Sequence, residues 1–252
     1  MRVAAVQHDI AWADRGANFA SLESLVRDAA ANGATFVVLS EMFSTGFVVD
    51  RDDIGEPEGG ESSGFLARLS SELGVWLCGS CPEVVDGDAR PYNSLVLTSP
   101  DGSVRRYRKI HPFTYGGEDR HFRAGSDFLT VDIDGVRVSF FVCYDLRFAD
   151  EFWALAHDTD MYVVPANWPV SRREHWLALL RARAIENQAY VVGCNRVGSG
   201  GGLDYVGDSH IFDPLGNTLA EGADKETILY ADVDAETVTA TRSRFPFLQD
   251  RR

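Results

Sequence analysis

Three short apolar runs in this sequence each end on a residue that can do chemistry. "FVVLSEMFSTGF" delivers Glu41, "SVRRYRKIHPF" delivers Lys109, and "SFFVCYDLRF" delivers Cys143. Glutamate and lysine are rarely buried without a partner, so their positions at the ends of apolar segments single them out. Together the three form a set for nucleophilic attack on an amide. A thiol must lose a proton to attack, and a partly desolvated glutamate can take it. The tetrahedral intermediate carries an oxyanion that Lys109 and the backbone N–H groups after Cys143 can stabilise. The glutamate then protonates the departing nitrogen and activates the water that cleaves the thioester. The scheme needs no histidine, metal or cofactor. Each residue alone has a plainer reading: an inert core thiol, a helix-capping glutamate, a solvated lysine. The rival scheme is a Cys–His hydrolase, whose base would be one of His8, His111, His121, His157, His175 and His210. His111, two residues past Lys109, is its most awkward candidate because it shares the lysine's loop.

The elements that must position these residues alternate between strand and helix. "RVAAVQ", "TFVVLS", "VWLCGS", "NSLVLTS", "FLTVDID", "VRVSFFVCY", "MYVVPAN" and "AYVVGCNRV" are short apolar runs, as expected of sheets covered on both faces. Helical spacing runs through "NFASLESLVRDAAANG", with Gly33 as a stop, and through "SSGFLARLSSELG", with Ser62 or Ser63 as cap and Gly74 as stop. "DEFWALAHD" predicts a further helix. "REHWLALLRARAIENQ" is the most amphipathic of the four, with Trp176, Leu179, Leu180, Ala184 and Ile185 on one stripe. "SHIFDPLGNTLAEG" predicts a hairpin, and "TILYADVD" an additional strand. Alternation without a linker or composition break predicts one α/β domain over residues 1–252, with the polar, Arg-rich residues 239–252 as a C-terminal tail. Strand ends in such sheets are where ligand sites gather.

The charge balance narrows the partners. A net charge of −14 offers no basic stripe for phosphates, which speaks against nucleic acid. Arg105 to Lys109 is the densest basic segment and remains a candidate anion site. No apolar run approaches the ~20 residues that cross a bilayer, and the opening "MRVAAVQHDI" reads as a strand rather than a signal peptide. The expectation is a cytoplasmic protein with reduced thiols. Cys78, Cys81, Cys143 and Cys194 show neither a disulfide framework nor a zinc pattern, and Cys78-Gly-Ser-Cys81 lacks the helix that a redox C-x-x-C needs.

The three segments together resemble the nitrilase, or carbon–nitrogen hydrolase, superfamily. "SEMFSTGF", "YRKIHPF" and "CYDLRF" look like its glutamate, lysine and cysteine motifs in the same chain order, and the likeness runs from "VAAVQ" to "GDSHIFDPLGN". The resemblance implies a four-layer αββα sandwich and a Glu41–Lys109–Cys143 triad, assisted by a second glutamate at Glu118 in "GGEDRHF". Two departures are Ser40 and Ala149, where proline is common; neither removes a reacting group.

Within the superfamily, "CYDLRF" and "PANWP" look most like the ω-amidase group, which hydrolyses the terminal amide of small α-keto acid amides such as 2-oxoglutaramate. An anionic substrate of this kind wants a guanidinium near the nucleophile. Arg147 is the first candidate for that grip, with a salt bridge to Asp145, Asp150 or Glu151 as the alternative. Asn167 and Trp168, just past "MYVVPAN", together with Tyr144, are further candidates for the pocket, and Phe43, Tyr115 and Phe122 for its apolar walls. Of Arg172, Arg173 and His175, at least one is expected to face solvent. The alternatives are an N-carbamoyl amino acid or aliphatic amide hydrolase on the same fold, and a catalytically silent scaffold; a membrane-linked acyltransferase is disfavoured by the missing spans. The resemblance also implies a homodimer or higher homo-oligomer formed through helices, and the "REHWLALLRARAIENQ" helix could supply the interface or pack internally.

Overall fold

A computed structural model of the chain describes residues 1–51, 53–85 and 90–251. The first half of the chain supplies β1 (Arg2–Gln7), β2 (Phe36–Val38), β3 (Glu56–Pro57), β4 (Trp76–Val84), β5 (Tyr92–Thr98) and β6 (Val104–Arg108), with α1 (Arg15–Ala31) and α2 (Glu61–Leu73) between them. The second half supplies the short α3 (Glu118–His121), then β7 (Thr130–Ile133), β8 (Val136–Phe140), α4 (Ala149–Leu155), β9 (Met161–Ala166), α5 (Arg173–Asn187), β10 (Tyr190–Asn195), β11 (Val197–Gly200), β12 (Leu203–Phe212) and β13 (Thr218–Ala223). The chain then returns to the first sheet as β14 (Thr227–Asp232), antiparallel to β1, and continues into α6 (Ala235–Arg244).

The first sheet runs β14-β1-β2-β4-β5-β6, with β3 beside β4; the second runs β11-β12-β10-β9-β8-β7, with β13 beside β12. Each sheet has a parallel centre, β1–β2–β4 and β8–β9–β10. The sheets face one another and carry helices on their outer sides, the αββα arrangement that the family resemblance implies.

The near-continuous apolar runs are explained by burial on both faces. Alternate residues of β1, β2 and β5 divide between two cores. Val3, Ala5, Phe36, Val38, Leu95 and Leu97 face the second sheet, whereas Ala4, Val6, Val37 and Val96 face α1 and α2. Cys78 and Cys81 obey the same rule on β4: the first points between the sheets and the second toward the helices, so they are not a redox pair. All four cysteines are free thiols.

Local sequence signals match some helix ends and not others. Gly74 does end α2, in the left-handed conformation at φ 68°, which suits glycine. The start of α2 differs from expectation. Gly60 takes the cap position, and Glu56, brought in by β3, accepts the Ser62 N–H at 2.8 Å. In α5, Trp176, Leu180 and Ala184 pack inward as expected, but Ile185 is exposed beside Gly216 in the β12–β13 turn. Nor do residues 239–252 begin as a tail. Residues up to Arg244 complete α6, and Arg242 donates to the carbonyls of Thr159, Asn187 and Gln188. An arginine used to satisfy buried carbonyls looks, in sequence, like one that is merely solvated. Arg106 and Arg108 are neutralised by Glu83 and Glu58, which removes the basic segment as an anion site. Among the described residues no helix is long and apolar enough to cross a membrane.

Candidate active site

Glu41, Lys109, Cys143 and Asn167 all sit just beyond the C-terminal ends of strands, respectively β2, β6, β8 and β9. Ligand sites in α/β sheets gather at such ends, because the strands hold the loops rigidly while the loops themselves stay out of the core. Two of the turns have an unusual backbone. Met42 has φ 45° and Cys143 has φ 48°, in the left-handed region where a non-glycine residue is strained. After Glu41, the turn at Met42 sends Phe43 away from the site.

The Cys143 turn is held by Asp145. One carboxylate oxygen accepts the Val142 N–H at 3.0 Å and the Tyr107 hydroxyl at 2.8 Å; the other accepts the His111 N–H at 2.9 Å and faces His111 Nδ1 at 3.0 Å. Tyr107 and His111 flank Lys109, so a single buried carboxylate fastens the lysine segment of one sheet to the cysteine turn of the other. His111 also stacks on Phe148 at 3.7 Å and turns Nε2 toward Glu151 at 3.5 Å. Both of its nitrogens are therefore engaged away from Cys143. Of the six histidines, His121 shares the cavity over Cys143, while the charges that bear on the thiol's ionisation are those of Glu41 and Lys109.

Lys109 is 1 % exposed and lies between two buried carboxylates, with Nζ 2.9 Å from Glu41 Oε1 and 2.9 Å from Glu118 Oε2. Burial opposes its charge, but Glu118 and Glu41, then Cys143 and Asp145, more than compensate and hold it protonated. Burial pushes the Glu118 carboxyl up; Lys109 opposes this and Glu41 adds to it. Glu41 is held on three sides: Oε1 also accepts Asn93 Nδ2 at 2.8 Å, and Oε2 accepts the Asn167 N–H at 2.8 Å. The Asn167 side chain returns a bond to the Glu41 carbonyl at 2.5 Å. For Cys143 the balance runs the other way. Burial and the negative charge of Glu41 push the thiol well up, with Lys109 only partly opposing. The resting group is a thiol beside a carboxylate, so attack requires proton transfer at the moment of reaction.

A cavity of about 470 Å³ opens over Cys143, lined also by Glu41, Tyr144, Arg147, Asn167 and Trp168. Arg147 lies over the Trp168 ring at 4.7 Å, with Nη2 3.2 Å from His175 Nδ1. Among the described residues no carboxylate pairs with it: Asp145 is occupied as above. Arg172, also in the lining, lies over Phe113 at 5.3 Å. Arg173 pairs instead with Asp208 at 2.6 Å.

Three expected wall residues lie elsewhere. Phe43 is packed in the helix-side core, where Gly79 leaves room for its ring: a Cβ there would meet Phe43 Cδ1 at 2.7 Å. Phe122 is buried with Met42, Val48 and Ile54. Tyr115 is 88 % exposed on a turn between β6 and α3. The walls are built instead by Trp12, Phe47, Phe113 and Tyr205. Trp12 carried no sequence signal, since it stands in a loop and its ring reaches the cavity only because Gly46 and Gly200 lack side chains. Asn93 was legible in principle, as an amide two residues after a proline at the head of an apolar strand.

The family model for carbon–nitrogen hydrolases matches residues 2–243. The chain belongs to the carbon–nitrogen hydrolase family. It is 37 % identical to an ω-amidase, YafV, of Yersinia enterocolitica, over 99 % of this chain and 96 % of the relative. It is 32 % identical to a 2-oxoglutaramate amidase of Bacillus subtilis, over 99 % and 97 %. Among solved structures, XC1258 of Xanthomonas campestris, a carbon–nitrogen hydrolase superfamily protein, superposes with a TM-score of 0.94 at 32 % identity, covering 100 % of this chain and 97 % of the other. Membership makes this protein a hydrolase of carbon–nitrogen bonds, with Cys143 at the floor of its cavity.

Proposed function

We propose that the protein is an ω-amidase, releasing ammonia from the terminal amide of a small carboxylate-bearing substrate such as 2-oxoglutaramate. The observation that carries this reading is the pairing of a thiol–carboxylate–ammonium cluster with Arg147, a guanidinium in the same cavity with no carboxylate partner among the described residues. Such a group can take a substrate carboxylate with two hydrogen bonds. The full-length similarity to proteins named as ω-amidase and 2-oxoglutaramate amidase supports the same choice.

In this reading Glu41 accepts the Cys143 proton as sulfur attacks the amide carbon. Lys109 has three N–H donors, of which two hold Glu41 and Glu118; the third serves the oxyanion together with the backbone N–H after Cys143. Glu41 hands its proton to the departing nitrogen, which leaves as ammonia. Water then attacks the thioester, gives a proton to Glu41, and that proton returns to the sulfur as the carboxylic acid departs. Glu118 keeps Lys109 in place. The reading also takes the chain as one domain in a cytoplasmic homodimer. Exposed Trp153, Phe245 and Phe247 support the assembly, and sedimentation would test it.

The test is ammonia release from 2-oxoglutaramate, glutamine, a simple aliphatic amide and a carbamoyl amino acid, by wild type, Cys143→Ala, Cys143→Ser and Arg147→Ala. The expected result is preference for the keto-acid amide, no activity in either cysteine variant, and a KM raised roughly 10- to 100-fold in Arg147→Ala, the cost of one charge-assisted pair. Activity surviving Cys143→Ala would sink the mechanism. Preference for the carbamoyl amino acid or the aliphatic amide would move the substrate assignment.

A further inference from the structure

Asn93 bridges the two buried carboxylates. Its Nδ2 lies 2.8 Å from Glu41 Oε1 and 3.0 Å from Glu118 Oε1, so each of its two amide protons goes to a different carboxylate. Its backbone carbonyl accepts the Lys109 N–H at 3.0 Å, which ties it to the lysine as well. The amide can face this way only: turned over, its oxygen would meet two anions. The orientation has a cost, since Asn93 Oδ1 is buried and finds no partner among the described residues. An orphan acceptor of this kind costs roughly 1–3 kcal/mol. A position that carries such a cost is not explained by stability alone.

Counting lone pairs shows what Asn93 achieves. A carboxylate offers about four acceptor sites. On Glu41, Asn93, Lys109 and Asn167 fill three, and one remains. Without Asn93, Glu118 Oε1 would have no donor among the described residues, and Glu41 Oε1 would keep only Lys109 Nζ. The simplest relief is for the two to share a proton, as close carboxylates do, and a Glu41 that holds a proton cannot accept one from Cys143.

We propose that Asn93 is a positioning residue: by bridging Glu41 and Glu118 it keeps both ionised around Lys109 and leaves Glu41 free to take the Cys143 proton. This rests on the role given to Glu41 in the amidase reading, but not on the identity of the amide. The charged and titratable groups that face Glu41 are Lys109, Glu118, Cys143 and, across the cavity, Tyr205. Losing the bridge therefore makes proton uptake at the Glu41–Glu118 pair easier. Any rate that needs ionised Glu41 must have its acid limb moved to higher pH.

The experiment is the rate of Cys143 alkylation by iodoacetamide against pH, located by mass spectrometry, in wild type, Asn93→Ala and the isosteric Asn93→Asp. Thermal melts and kcat and KM on 2-oxoglutaramate accompany it. The expected result is a folded Asn93→Ala whose alkylation near neutral pH is roughly 10- to 100-fold slower, the range of a weakened general base. The profiles should converge at alkaline pH, kcat should fall in parallel, and KM should hold. Asn93→Asp, which removes both donors and adds an anion, should be slower still. Wild-type alkylation rates and an unshifted acid limb in either folded variant would overturn the proposal. Because alkylation displaces iodide and hydrolyses no amide, a shifted limb in a protein that hydrolyses none of the amides tried would keep Asn93's role and dismiss the substrate assignment alone.

Discussion

Two charge networks in this molecule have nearly the same hydrogen-bond lengths and opposite physics. On the surface, Arg27 and Arg68 join Glu23 and Glu72 across α1 and α2 at 2.7–3.3 Å. At the end of the sheets, Lys109 joins Glu41 and Glu118 at 2.9 Å. The first is solvated and screened, so its pairs add little. The second has lost its water, and every member depends on the others. Acid separates the two. Hydrogen bonds from Arg68 and Arg27 hold Glu23 down to about 2, so its contribution is present above its ordinary value of 4.5 and is lost as pH falls toward 2. Glu118 is shifted up by burial, so protonation relieves a cost instead of removing a benefit. Geometry alone does not tell a structural ion pair from a reactive one; the solvent around it does.

The sharpest way to break the comparison is Lys109→Met. It leaves two buried anions without their cation and should cost roughly 3–5 kcal/mol of stability in urea unfolding, with loss of amide hydrolysis. Stability near wild type would mean that water reaches the cluster. Glu41→Gln asks how much of this network is chemistry: the side chain keeps its shape, but the amide cannot take the thiol proton. The protein should stay folded, with a lowered thermal midpoint because the amide turns a donor toward Lys109, Asn93 or the Asn167 N–H, while kcat drops about 10²- to 10⁴-fold; a kcat within a factor of a few would assign the base elsewhere.

His8 shows the third response, a buried group with its charge given up. Burial lowers it from 6.5 to about 4, so the unfolded chain takes up the proton first and stability falls as pH drops through that window. Between about pH 7.5 and about pH 4.5, wild type should lose roughly 2–3 kcal/mol more than His8→Gln in urea unfolding. Equal losses would show that His8 does not govern the slope. The smallest effect is expected from Arg68→Ala. Its thermal midpoint should change little at low ionic strength and not at all in high salt, where exposed pairs are screened. A large, salt-independent change would mean that α1 and α2 are joined by more than their charges.

Much of the arrangement was written in local sequence, and the exceptions share one cause. Glu41, Lys109 and Cys143 were legible because each is a chemically capable group at the end of an apolar run, whereas Glu118, between Gly117 and Asp119, was reached only through the family resemblance of "GGEDRHF"; the strands were legible because burial on both faces leaves an unbroken apolar run. Asn93 and Asp145 were not read as part of the site, although they hold it together, because a polar residue next to a strand has many uses. Their partners lie 25 to 52 residues away for Asn93 and up to 38 for Asp145. Phe43, Phe122 and Tyr115 were placed on the wrong side because the direction of a loop side chain follows from backbone turns such as Met42 at φ 45°. Those turns are set by packing, not by the residues themselves.

By itself, then, the sequence determined which groups are available to react, their order, and the alternation of apolar strands with helices, since burial and helical or strand periodicity act over a few residues. Only the tertiary structure decided where each histidine sits relative to the thiol, which arginines line the cavity without a carboxylate partner among the described residues, and which amide bridges two buried carboxylates. Those are outcomes of distance and desolvation between segments far apart in the chain, and neither quantity exists until the sheets have met.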